Sequence, residues 1–186
     1  LSTNHPDMLV VIFAVAAAGG VCVPANFRLT AEELAFVFDD AGASLLVVSA
    51  DLAGTGHDVA GRVAAIGRTV VLGGDPGAPD SLDTFVTGVA PLTRPEPATA
   101  DDLALIMYTS GTTGRPKGAM LTHGNITWNA VNMLSAGEGL LRSDAKLSVA
   151  PLFHIGALGI FTFPLLYLGG TVVTVSKFDP AQTAAL

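Results

Sequence analysis

A single cysteine, Cys22, excludes an internal disulfide and any CxxC metal pair. Positive charge is scarce too. Nine Lys and Arg stand against sixteen Asp and Glu, for a formal net charge of −7, and the cations form no cluster. Nucleic-acid binding is disfavoured, because affinity for a phosphate backbone needs a positive face. No apolar run reaches membrane-spanning length. Residues 8–24 are uncharged, yet they fall short of the ~20 residues a bilayer needs, and Gly19-Gly20 interrupts them. They read instead as a buried helix opening at His5-Pro6-Asp7 and stopping at Gly19, then a core strand at Val21-Cys22-Val23 with Cys22 as a packed thiol.

What is abundant is apolar surface. Of 186 residues, 50% are hydrophobic and only 13% charged, with a mean hydropathy of +0.55. The chain therefore reads as the interior of a larger domain whose covering elements lie outside it. The isolated segment is expected to aggregate, since large apolar patches need a partner, and peripheral membrane contact fits the same composition. It starts at Leu1, and its end, Asp179-Pro180-Ala181, reads as the first turn of a helix, so both ends are expected to be cut.

Helix and strand signals alternate. Thr30-Ala31-Glu32-Glu33 is a capping box ahead of Leu34, Val37 and Phe38 at helical spacing. Residues 44–49 read as a strand, 59–66 as a helix, and 69–72 as a strand. Pro91, Pro95 and Pro97 mark residues 91–102 as a connector between a first α/β part (1–90) and a second (103–186). In the second part, strands are expected at 103–107, 119–121, 146–150 and 171–175. Helices are expected from Thr122 to about Ser135 and over 156–168. The fold class is α/β, with mostly parallel strands covered on both faces.

Residues 108–118 carry the chemistry: Tyr-Thr-Ser-Gly-Thr-Thr-Gly-Arg-Pro-Lys-Gly. Gly111, Gly114 and Gly118 free the backbone for positive φ, and Thr109, Ser110, Thr112 and Thr113 add hydroxyl donors. Successive amides in such a turn form a nest for anionic oxygens, and Lys117 adds a mobile cation. The loop reads as a polyphosphate cradle. It is not a Walker A sequence, because Pro116 and Gly118 flank Lys117 where that pattern has Gly and Ser or Thr. Ligands in an α/β sheet sit beyond the carboxyl ends of strands. That places this loop and Pro151-Leu152-Phe153-His154 on one rim.

The loop resembles that of the adenylate-forming (AMP-binding) superfamily, in its acyl-CoA synthetase branch. Met120-Leu121-Thr122-His123-Gly124-Asn125, Pro151-Leu152-Phe153-His154 and Val23-Pro24-Ala25-Asn26 with Leu29-Thr30 extend the resemblance along the chain. It implies a large N-terminal domain in which a carboxylic acid, ATP and CoA react through an acyl-adenylate, with Mg2+ accompanying ATP. Thr109, Ser110, Gly111, Thr112, Thr113, Gly114 and Lys117 would hold the leaving phosphates, and His154 would stand beside the acid as the catalytic residue. The acid is expected to be a fatty acid, on the apolar character of Ile155-Gly156-Ala157-Leu158-Gly159. An aryl acid and a non-catalytic nucleotide-binding relative are the alternatives, and the setting is expected to be cytoplasmic. The family's magnesium-binding Glu, ribose-binding Asp and C-terminal lysine have no match here, so the segment alone is expected to be inactive, and no residue is assigned to a metal. His123 reads as a helix opener, His5 and His57 as surface residues. Trp128, Phe153, Phe161 and Phe163 read as core.

Overall fold

Capping chemistry decides where the first element lies. In the computed structural model, which describes residues 1–110 and 115–185, helix α1 spans Pro6–Ala17. His5 caps it, its Nδ1 accepting from the Asp7 amide at 3.2 Å, and Pro6 occupies the first turn, where its missing N–H costs nothing. At the other end the Gly20 amide reaches the Val15 carbonyl at 2.8 Å and the Gly19 amide the Ala16 carbonyl at 3.1 Å. Gly19 has φ +72°, so the left-handed closing turn falls on a residue with no Cβ to clash.

The strand expected at Val21-Cys22-Val23 is reduced to one parallel bridge with Leu105. The Cys22 amide donates to Ala104 at 2.9 Å, and its carbonyl accepts from Ile106 at 3.0 Å. The next rung would need an N–H at position 24, and Pro24 has none. Burial pushes the Cys22 thiol up to about 11.

Helix α2 (Ala31–Asp40) carries the full capping box. The Glu33 carboxylate accepts from the Thr30 amide at 2.8 Å, and Thr30 Oγ1 accepts from the Glu33 amide at 3.3 Å. Leu34, Val37 and Phe38 bury one face against Leu46 of β1 (Leu45–Ser49) and against Val59 of α3 (Ala53–Arg62). Strand β2 (Arg68–Leu72) lies parallel to β1, with Val47 opposite Val70.

Helix α3 sits earlier than residues 59–66. Gly54 and Gly56 argue against a helix by propensity. Yet a Cβ on Gly56 would fall 3.0 Å from the Val48 methyls, so close packing of helix on strand wins over propensity. A short helix, α4 (Leu82–Val86), capped by Ser81, was not anticipated. Residues 91–100 are exposed and carry neither helix nor strand.

Strands β3 (Leu103–Thr109) and β4 (Lys117–Thr122) pair antiparallel, which corrects the parallel expectation at this point. Seven residues, 110–116, join them, and a parallel crossover needs about a dozen. Helix α5 (His123–Met133) follows, its Thr122–Asn125 box closed in both directions. Strand β5 (Ala145–Ser148) pairs parallel with β6 (Thr171–Thr174). The ladders among the described residues form three two-stranded sheets. The chain ends its described course in α8 (Pro180–Ala185).

The helix expected over 156–168 is built in three parts: α6 (Ile155–Ala157), a π-turn over Leu158–Thr162, and α7 (Phe163–Leu168). Pro164 explains the wide turn. The Phe163 amide bonds Leu158, five residues back, and Pro164 has no N–H to offer Gly159. The stranded Gly159 carbonyl accepts instead from Asn129 Nδ2 at 2.6 Å, and buried Thr162 donates its hydroxyl to Ala157 at 2.7 Å. One core cluster joins Met8, Leu9 and Ile12 of α1 to Leu105 and Met107 of β3 and to Leu152, Leu158 and Phe163. The site segments are mounted on that cluster. No helix among the described residues is long and apolar enough to cross a membrane.

Candidate functional site

Thr109 and Lys117 are register partners in the β3–β4 ladder, so the two ends of the glycine- and hydroxyl-rich loop are held together by strand pairing. Thr109, Ser110 and Lys117 are all exposed. Among the described residues Lys117 has no carboxylate partner, which leaves its cation free for a ligand. Gly111, Thr112, Thr113 and Gly114 lie outside the described residues.

The β3 arm and the segment leading into β4 are both moored to α2. The Tyr108 hydroxyl donates to an Asp40 carboxylate oxygen at 2.5 Å, and the Arg115 guanidinium lies 5.8 Å from the centre of the Phe36 ring. Burial, then the hydrogen bond to Asp40, holds the Tyr108 hydroxyl above its ordinary range. Gly118 works differently from the sequence reading. It is not among the positive-φ glycines; it lies within β4 opposite Tyr108. A Cβ there would stand 2.7 Å from Ile106 Cγ2 and 3.2 Å from Tyr108 Cζ, so the glycine makes room for the tyrosine ring that reaches Asp40.

His154 ends the turn after β5. Its amide donates to Pro151 at 3.0 Å, and its ring Nδ1 accepts from the Gly156 amide at 3.0 Å, capping α6. With Nδ1 engaged as an acceptor, the neutral ring carries its proton on Nε2, which is left as a donor. Neighbouring Phe153 meets Phe27 edge-on at 5.5 Å, and the Arg28 guanidinium lies 5.3 Å from the Phe27 ring centre and 5.9 Å from that of Phe153. His154 shares no hydrogen bond or ion pair with Thr109, Ser110 or Lys117 among the described residues; the two segments meet through the core, where Leu105 and Met107 pack with Leu152. Sequence reasoning missed Asp40, Phe36 and Asn4, whose carboxamide grips residues 150 and 152. Nothing local marks those long-range contacts.

His123 opens α5, its amide donating to Asp102 at 3.0 Å, and its side chain borders an apolar cavity of about 240 Å³ with Ile12, Phe13, Ile126 and Phe163. His5 and His57 are exposed, as expected, and each has a role: His5 caps α1, and His57 Nε2 lies 2.9 Å from Asp80. Phe163 is core, but Trp128 is 66% exposed on α5, which corrects its assignment. Phe161, 37% exposed, lies under the Lys146 ammonium at 4.1 Å, and burial lowers the pKa of that lysine. Among the described residues no three of His, Cys, Asp and Glu converge as metal ligands.

A family model described as AMP-binding enzyme matches residues 1–186. The chain is 44% identical over 180 residues to a feruloyl-CoA synthase of an Amycolatopsis species, covering 97% of this chain and 34% of that protein. It is 34% identical over 184 residues to an indoleacetate–CoA ligase of Aromatoleum aromaticum, covering 98% and 36%. Among solved structures it superposes on a long-chain-fatty-acid-CoA ligase of Archaeoglobus fulgidus with TM-score 0.87 at 30% identity, over 99% of this chain and 36% of that one. ATP-bound MatB of Rhodopseudomonas palustris gives TM-score 0.83 at 30% identity, over 100% and 36%. The chain spans about a third of the length of the curated relatives it matches.

Proposed function

Because the chain belongs to the AMP-binding enzyme family, we propose that the whole protein activates a carboxylic acid with ATP and transfers the acyl group to CoA. A carboxylate oxygen attacks the α-phosphorus, the bond to the bridging oxygen breaks, and pyrophosphate leaves. The CoA sulfur then attacks the acyl carbon, and AMP departs with its phosphate oxygen. The observation that carries this reading is the Thr109–Lys117 rung, which closes a loop of hydroxyls and glycines and sets at its exit a cation with no carboxylate partner among the described residues.

Thr109, Ser110 and Lys117, with Gly111, Thr112, Thr113 and Gly114 between them, hold the β- and γ-phosphates. Their part is positioning and charge stabilisation rather than proton transfer. His154 offers Nε2–H to the reacting carboxylate and keeps it oriented. ATP and CoA as co-substrates point to a cytoplasmic setting.

For the acid, an aromatic or arylpropenoic carboxylate is favoured over a fatty acid. The relatives at 44% and 34% identity carry ferulate and indoleacetate in their names. The apolar stretch that suggested an alkyl chain has another explanation: Leu158 is 0% exposed and Ala157 is buried, both within the core cluster. A fatty acid remains the second reading, supported by the likeness to a long-chain-fatty-acid-CoA ligase. Acyl-CoA formation by the full-length protein with ferulate, indoleacetate and straight-chain acids of graded length tests the choice. Turnover confined to the straight-chain acids would reverse the order, and no turnover with any acid would remove the ligase reading.

A further inference from the structure

We propose that Asn4 is a positioning residue for His154, holding the turn that carries the imidazole; its consequence for activity rests on the reading of His154 given above. Asn4 is 6% exposed, and both ends of its carboxamide are used. Nδ2 donates to the Ala150 carbonyl at 2.9 Å, and Oδ1 accepts from the Leu152 amide at 2.8 Å. The two bonds straddle Pro151, the one residue there with no N–H to satisfy.

The need for such a clamp follows from where β5 stops. The β5–β6 ladder ends at Ser148, and its last reach is a 3.5 Å bond from the Val175 amide to the Ser148 carbonyl. Past that point residues 150 and 152 have no strand neighbour among the described residues. Asn4 stands in for one, offering a donor and an acceptor at the spacing of a peptide edge. Leu152, at 0% exposed, is packed among Met8, Leu9 and Ile12, so one N-terminal stretch fixes both the backbone and the side chain of the turn.

From there the constraint passes to the ring in two short steps. The His154 amide is tied to the Pro151 carbonyl, and ring Nδ1 to the Gly156 amide, each at 3.0 Å. A Cβ on Gly156 would stand 3.2 Å from Nδ1, so the ring rests closely on that amide. Releasing residues 150–152 moves the turn and loosens the contact that selects the Nε2–H tautomer. Alanine at position 4 supplies neither bond, and aspartate turns a carboxylate toward the Ala150 carbonyl.

The experiment uses the full-length protein with 15N-labelled histidine, unaltered and as Asn4→Ala. In the unaltered protein the His154 ring is expected to show Nδ1 as an unprotonated acceptor and Nε2 as protonated; in Asn4→Ala it shifts to a mixture of tautomers. With ferulate as the acid, kcat for adenylate formation falls about 100-fold, the scale of a 1 Å misplacement, while KM for ATP is unchanged. A ring spectrum identical in the folded variant overturns the proposal. Should Asn4→Ala not fold, hydrogen exchange at the Leu152 amide of the unaltered protein decides: slow exchange supports the clamp, and exchange as fast as in exposed loops overturns it. Full activity in His154→Ala would remove the catalytic reading of His154, while the ring spectrum would still decide the role of Asn4.

Discussion

The Tyr108 hydroxyl donates to the Asp40 carboxylate across 2.5 Å, joining residues 68 positions apart and tying the base of the β3–β4 loop to the end of α2. Asp40 is the last residue of a helix with no basic residue in its final turn. A carboxylate there opposes the helix dipole by about 0.3–1 kcal/mol, so its bond to Tyr108 offsets an otherwise unfavourable placement. Removing the hydroxyl in Tyr108→Phe is expected to lower stability by about 1 kcal/mol, measured by urea unfolding. It should also raise KM for ATP, because the loop loses a mooring. A variant with wild-type stability and wild-type KM would show that the bond does neither.

The raised pKa of Tyr108 gives a signed pH dependence. Its ionised form is disfavoured in the folded protein, so its folded value lies above the ordinary 10.0. The contribution is therefore fully present below that value and is lost as pH rises from there through the folded value. Stability of the unaltered protein should fall faster above pH 10 than that of Tyr108→Phe. Parallel alkaline titrations of the two unfolding midpoints would contradict this.

Gly118→Ala is expected to destabilise by about 1–3 kcal/mol through overpacking. The new Cβ would meet Ile106 Cγ2 at 2.7 Å and crowd the Tyr108 ring, so the Asp40 bond should be lost with it. Thermal unfolding measures the first effect. Combining Gly118→Ala with Tyr108→Phe should be less than additive, and strict additivity would break the link between them.

What was legible in the sequence is what is local. The Thr30–Glu33 box, the helix start at Thr122 and the Gly19 stop each lie within a few residues, and each formed as read. The hydrophobic spacing of Leu34, Val37 and Phe38 likewise found its core. The start of α3 was hidden because Gly56 fits against Val48, a fact of packing rather than propensity. Asp40 with Tyr108, Asn4 with residues 150 and 152, and Asn129 with Gly159 join distant segments by side-chain bonds that leave no periodic trace. At the site, Thr109 and Lys117 fall on one rung, whereas Gly118 was assigned to backbone freedom and in fact serves packing.

Lys117→Ala should reduce kcat for adenylate formation about 100-fold, equal to about 3 kcal/mol of lost transition-state stabilisation. Lys117 is exposed and unpaired among the described residues, so its unfolding midpoint should not move. A large loss of stability with intact turnover would reverse its role.

The nucleotide products of the full-length protein test the central claim most directly. Incubated with ATP, CoA and ferulate, it should release AMP and pyrophosphate in step with acyl-CoA, and release neither without the acid. Release of ADP and inorganic phosphate instead would contradict the account.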